Sequence, residues 1–132
     1  INSYLQSFSV NTTMIREGDL TVSGNSLTYR TDEAKTDGAD IFVSIHINSA
    51  SSESASGFTV LFKNEGSNAA ENKALAESIS NSQQTMTLKS SPTTVRNDLS
   101  VLNRFSGTGP AVLIEVGFIT NDSDVKLMTN NF

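Results

Sequence analysis

The sequence predicts an α/β fold, strands and helices layered in a single domain. Short apolar runs alternate with segments of helical periodicity along the chain. The two strongest runs, around Ile41–Ile47 and Ala111–Val116, are nearly continuous in Val, Ile, Leu and Phe, the pattern of strands covered on both faces. A length of 132 residues supports one hydrophobic core and not two.

The elements follow in order. Ile1, Tyr4, Leu5 and Phe8 recur at helical spacing, so residues 1–8 read as the end of a helix that opens in mid-pattern. Val10 to Arg16 alternates and suits a strand with one wetter face. Glu17-Gly18-Asp19 is a turn, Leu20 to Asn25 a polar loop, and Ser26 a cap for a helix over 27–37 that stops at Gly38. A strand over 40–47 comes next. Ser49 to Ser56 is Ser-rich and reads as a mobile surface loop. Gly57 to Phe62 is a further strand. Asn68 with Glu71 resembles a capping box that opens a helix through about Gln84, with Ala74, Leu75 and Ile79 as its apolar stripe. Residues 85–98 are polar and fit no period. Ala111 to Val116 is the last strand. Asn121, with Asp122 and Asp124 behind it, starts a short C-terminal helix. Phe58, Val60, Phe62, Leu75 and Ile79 belong to the core. No repeat and no long linker is visible.

Composition narrows the function. The net charge of −5 and pI near 4.7 argue against nucleic acid as a partner, since phosphate binding needs clustered Lys and Arg. No apolar stretch reaches the ~20 residues of a membrane span. With no cysteine there is neither a disulfide nor a thiolate metal site.

Each of the two strongest strands ends in an ionisable residue. His46, the sole histidine, closes one, and Glu115 closes the other. Alternation puts Phe42, Ser44 and His46 on one face of their strand, and Ala111, Leu113 and Glu115 on one face of theirs. Ligands of parallel α/β sheets bind beyond the carboxyl ends of the strands. Parallel neighbours would therefore place His46 and Glu115 in one cleft. Imidazole is the commonest metal ligand, and a nearby carboxylate suits a general base. The plainer alternative is a satisfied histidine and a solvated glutamate, and spacing by itself does not decide between them.

The stretch Ala39-Asp40-Ile41-Phe42-Val43-Ser44-Ile45-His46-Ile47-Asn48-Ser49 resembles the zinc-ligand motif of the zinc-dependent N-acetylmuramoyl-L-alanine amidases. Pro110-Ala111-Val112-Leu113-Ile114-Glu115-Val116-Gly117-Phe118-Ile119-Thr120-Asn121 resembles the same family's catalytic-glutamate motif. Thr13 to Asp19 with Leu27 and Arg30, and Val95 to Leu102, are similar to its connecting segments. The likeness covers all of residues 1–132 and implies a twisted, mostly parallel sheet flanked by helices. It also implies Zn2+ as cofactor with His46 as one ligand, Glu115 as the catalytic carboxylate, Asn48 and Ser49 at the substrate, and peptidoglycan as partner. Action in the bacterial envelope or outside the cell, in wall remodelling or phage lysis, follows from that substrate.

The family takes its other two zinc ligands, a His and a Glu, from a segment that would precede Ile1. The expectation is thus a C-terminal portion of an amidase catalytic domain, N-terminally incomplete, with an exposed sheet edge where the first strand belongs. An N-terminal segment or partner chain would then complete the zinc site. The alternatives are a degenerate module that binds wall glycopeptide without hydrolysis, and a fragment with no activity of its own. Asp40 and Glu53 are read as surface residues. Arg16 and Arg30 are read as structural, paired with acids such as Asp19 or Asp32. Arg96 and Asn97 read as a polar loop, with the lining of a substrate groove as the alternative. Ile47 replaces the small residue usual in the family.

Overall fold

In the computed structural model, which describes residues 1–18 and 27–130, nine elements are defined: α1 (Asn2–Ser7), α2 (Leu27–Thr36), β1 (Phe42–Asn48), β2 (Phe58–Phe62), α3 (Ala69–Ser82), β3 (Leu88–Val95), α4 (Ser100–Phe105), β4 (Ala111–Phe118) and α5 (Asp122–Asn130). The strands form one sheet in the order β1-β4-β2-β3. The β1–β4 and β2–β3 ladders are parallel and the β2–β4 ladder is antiparallel. The sheet is therefore mixed, with most of its pairings parallel.

Two cores lie on the two faces. On one, Phe42, Leu61, Ala111 and Leu113 meet Ala34 of α2 and Val101, Leu102 and Phe105 of α4. On the other, Phe58, Val60, Phe62 and Val112 meet Ala76 of α3, with Leu75 and Ile79 packed against them. This matches the core expected from the sequence. The stripe of α3 runs through Asn72, Leu75, Ala76, Ile79 and Ser80 and leaves Ala74 exposed. Helix α3 packs on β2, β3 and β4. Beyond its reach, on β1, Val43 and Ile47 remain 42% and 57% exposed.

Turn chemistry sets several boundaries. Gly38, at φ +69°, ends α2, and the N–H groups of Gly38 and Ala39 return to the carbonyls of Lys35 and Ala34. At Gly109 the backbone passes so close to β1 that an added Cβ would lie 2.2 Å from the Asp40 carbonyl oxygen. Gly109→Ala must push the start of β4 away from β1. We expect a loss of at least the ~1–3 kcal/mol typical of overpacking, read as a fall in midpoint on thermal denaturation.

Three local expectations are corrected. Residues 10–16 form no strand. Alternation makes a strand only where a neighbour supplies ladder hydrogen bonds, and no described strand pairs with the outer edge of β1. Residues 88–95 do form one, the edge strand β3. Its polar composition and Pro92 hid it, because an edge strand needs apolar residues on little of its surface. The six-residue helix α4 was too short to show a period. Asn68 does begin α3 but makes no side-chain cap bond, because its Oδ1 accepts the Gly107 N–H at 2.9 Å instead. Asn121 does cap α5, accepting the Asp124 N–H at 3.0 Å. The expected turn residue Asp19, the loop over 20–25 and the cap at Ser26 lie outside the described residues.

Candidate active site

Strands β1 and β4 run parallel with His46 directly opposite Glu115 in the ladder. Residues opposed in neighbouring strands share a face, so both side chains stand on one face at the carboxyl end of the pair. From the other side, Thr59 of β2 is opposite Glu115. The same face carries Leu61 and Leu113 one step down the strands and Phe42 and Ala111 two steps down, so the pair stands on top of the first core. The juxtaposition that spacing left open is thus made by the sheet.

His46 is half-buried, and its Nε2 lies 3.0 Å from Ser44 Oγ, two residues earlier on the same face. That bond fixes the ring's orientation. Glu115 is half-buried, and its Oε2 is enclosed with no hydrogen-bond partner. Burial raises its pKa above the usual glutamate range, opposed by the positive charges of His46, Lys89 and Arg96. A carboxyl whose folded pKa is raised favours the folded state below its unfolded pKa and loses that contribution as pH climbs through the folded value. Glu115→Gln is therefore expected to be more stable than the parent at neutral pH, with the gain vanishing below the ordinary glutamate range. Urea unfolding of both proteins across pH 3–8 checks this, and an equal difference at every pH would refute it.

Asn48 and Ser49 follow at the rim. Asn48 turns its Oδ1 back to accept the Ser49 N–H at 2.8 Å, and Ser49 is exposed. The loop over 49–56 is tied to the segment after β4. The Ala50 N–H donates to Thr120 Oγ1 at 3.2 Å, and Asn121 Nδ2 donates to the Glu53 carbonyl at 2.7 Å. The mobility expected from its serines is thus restrained by partners distant in sequence. Lys89 lies with Nζ 5.4 Å from the centre of the Phe118 ring. Arg96 holds Asp98 through two bonds of 2.7 and 2.8 Å, and this pairing draws the Asp98 carboxyl down to about 2. Asn97 bonds Asn64 and Glu65. Arg96 and Asn97 therefore belong to a polar loop, as read from the sequence. Arg16 donates from Nε to the Gly18 carbonyl at 2.9 Å. Arg16 and Arg30 line a cavity of about 460 Å³ along the outer edge of β1, together with Thr13, Met14, Ile15 and Ser44.

The sequence reading missed Ser44 as the partner of His46 and Thr59 as a neighbour of Glu115. The i, i+2 spacing from His46 could have indicated Ser44. Nothing local could have indicated Thr59, which arrives through the antiparallel β2–β4 pairing.

An imidazole beside a carboxylate with an unpartnered buried oxygen suits a metal-activated water. A catalytic zinc site takes three protein ligands, and among the described residues no three His, Cys, Asp or Glu side chains converge. These residues supply part of such a site and do not close it.

Fold and site together define a single α/β domain that carries an imidazole and a carboxylate side by side at the carboxyl ends of two parallel strands. The chain belongs to the N-acetylmuramoyl-L-alanine amidase family, whose model matches residues 1–132. It is 30% identical over 129 residues to a probable cell wall amidase, LytH, of Staphylococcus saprophyticus, a match covering 98% of this chain and 39% of that protein. Among solved structures it resembles the apo form of the N-acetylmuramyl-L-alanine amidase Ami1 of Mycobacterium abscessus. That match has 27% identity and a TM-score of 0.80, over 98% of this chain and 63% of the other. It also resembles the catalytic domain of the amidase CwlV of Bacillus (Paenibacillus) polymyxa var. colistinus. There the identity is 25% and the TM-score 0.71, over 98% of this chain and 68% of the other. The chain thus spans well under half of the curated relative and under two thirds of Ami1.

Proposed function

We propose that this chain supplies the catalytic glutamate and one zinc ligand of a peptidoglycan amidase. The bond cleaved is the amide between the lactyl group of N-acetylmuramic acid and the L-alanine of the stem peptide. The observation that carries this reading is the pairing of His46 with Glu115 at the carboxyl end of parallel strands, with Glu115 Oε2 enclosed and unpartnered. Zinc bound there supplies a water of pKa ~7 and polarises the scissile carbonyl.

The chain's own residues do the rest. His46, oriented by Ser44, would give an imidazole nitrogen to the metal. Glu115 takes the proton of the attacking water and hands it to the departing amine nitrogen. Asn48 and Ser49, at the rim beside His46, contact the glycan or peptide. The remaining ligands would come from a further polypeptide segment or a partner chain, and no described strand pairs with the outer edge of β1, the strand that carries His46. The substrate places the protein in the bacterial envelope or outside the cell. No described helix is long and apolar enough to cross a membrane.

Zinc stoichiometry by elemental analysis tests the reading. The 132-residue chain alone should hold no tight zinc. Supplemented with the segment that completes the site, it should hold about one per chain and release stem peptide in a chelator-sensitive way. The lone histidine and the absence of a three-ligand cluster among the described residues favour one other reading, a wall-binding module without hydrolysis. Sedimentation with peptidoglycan that is indifferent to chelator, with no peptide released from the supplemented chain, would establish that reading.

A further inference from the structure

Helix α5 contributes no group to the pair, yet its first turn holds a carboxylate in the interior. Asp124 is 2% exposed. One oxygen, Oδ2, accepts two backbone N–H groups, from Phe118 at 2.8 Å and from Gly57 at 2.8 Å. Phe118 is the last residue of β4, three after Glu115. Gly57 immediately precedes β2, two before Thr59. A single buried atom therefore joins the two strands that flank and carry the catalytic carboxylate.

This joint sits where the sheet is irregular. His46 opposes Glu115, but Asn48 opposes Phe118, so β4 spends one more residue than β1 over this step. A bulge re-aims the side chains beside it and leaves the local ladder weak. Gly117, inside the bulge, packs on the helix: a Cβ there would lie 3.2 Å from Asp124 Oδ2 and 2.9 Å from Met86 Cε. The Ile119 N–H returns to the Asn48 carbonyl at 2.8 Å, which ties the strap after β4 to the rim beside His46. Asp124 is itself held by Asn121 and by its place in the first turn of α5, where a negative charge is favoured. Burying a carboxylate costs several kcal/mol unless it is fully hydrogen-bonded. A role confined to surface solubility does not fit that cost.

We propose that Asp124 is a positioning residue for Glu115, fixing the bulged end of β4 against the start of β2 so that the carboxylate stays opposite His46. The proposal rests on the reading of Glu115 as the proton-transfer group, but its main test needs no activity. Both bonds fall on one oxygen, so Asp124→Asn can place an amide oxygen there and keep them, whereas Asp124→Ala loses both. In ¹H–¹⁵N spectra of the 132-residue chain, Asp124→Asn should leave the amide signals of Glu115, Thr59 and Asn48 in place. Asp124→Ala should shift all three and speed exchange at the Phe118 and Gly57 amides by about tenfold or more.

A control separates positioning from simple loss of stability. Leu75→Ala, on α3 in the second core on the opposite face of the sheet, lowers stability and should leave those signals unmoved. Should Asp124→Ala not fold, Asp124→Ser keeps a polar group in the first turn but is too short for both amides, and the same shifts are expected. Unmoved Glu115 and Thr59 signals in the folded Ala or Ser variant would overturn the proposal. In the zinc-complete amidase, Asp124→Ala should lower kcat by up to about a hundredfold with KM little changed, and Asp124→Asn should restore it. Equal loss in the Asn variant overturns the positioning role. Failure of Glu115→Gln to impair hydrolysis overturns the functional reading instead.

Discussion

Glu115→Gln, in an amidase whose zinc site is complete, is expected to lower turnover by about 10²–10⁴-fold while zinc content stays at one per chain. Glutamine keeps the shape of the side chain and leaves the first core beneath it undisturbed. It cannot accept a proton from water or return one to nitrogen, so the loss falls on kcat and KM changes little. In the metal-free 132-residue chain the same replacement removes the charge that burial disfavours, so there the variant is expected to be the more stable one at neutral pH. Opposite movement of activity and stability marks a group placed for chemistry against the preference of its surroundings. Turnover within a few-fold of the parent would remove Glu115 from its role.

Phe105→Ala should be the most damaging of the simple core truncations, costing about 3–5 kcal/mol and losing cooperative unfolding at the high end of that range. Phe105 is fully buried and stacks on Phe42 with ring centres 5.3 Å apart. Phe42 opens the strand that carries His46, and Phe105 closes the helix that leads into β4. The two rings thus join the segments that carry His46 and Glu115, and the cavity left by the truncation lies beneath the site. Denaturant unfolding measures the cost. A loss under ~1 kcal/mol would mean that α4 collapses onto the sheet and refills the space.

The relation between sequence and site is clearest at Glu115 and Thr59. Period-two alternation puts Glu115 and Leu113 on one face, and the apolar run marks β4 as buried, both from adjacent residues alone. That Thr59 stands opposite Glu115 depends on an antiparallel pairing between segments more than fifty residues apart, which no local pattern encodes. The segment 10–16 makes the converse point. Its alternation is genuine, but a strand exists only through its neighbours' hydrogen bonds, and no described strand provides them. Strand β3 was invisible for the opposite reason: at the edge of the sheet, pairing with β2 suffices without an apolar pattern.

By itself the sequence determined the α/β layering, the faces of the main strands, the stop at Gly38 and the start at Asn121, and it marked His46 and Glu115 as candidates for the chemistry. Each is written in spacing, turn residues or motif, and these act over a few residues. Tertiary structure decided the mixed strand order, the register that sets His46 against Glu115, the burial that raises the glutamate's pKa, and the buried Asp124 that joins β4 to β2. Those are consequences of long-range pairing and of exclusion from water, and they arise only when distant segments close on one another.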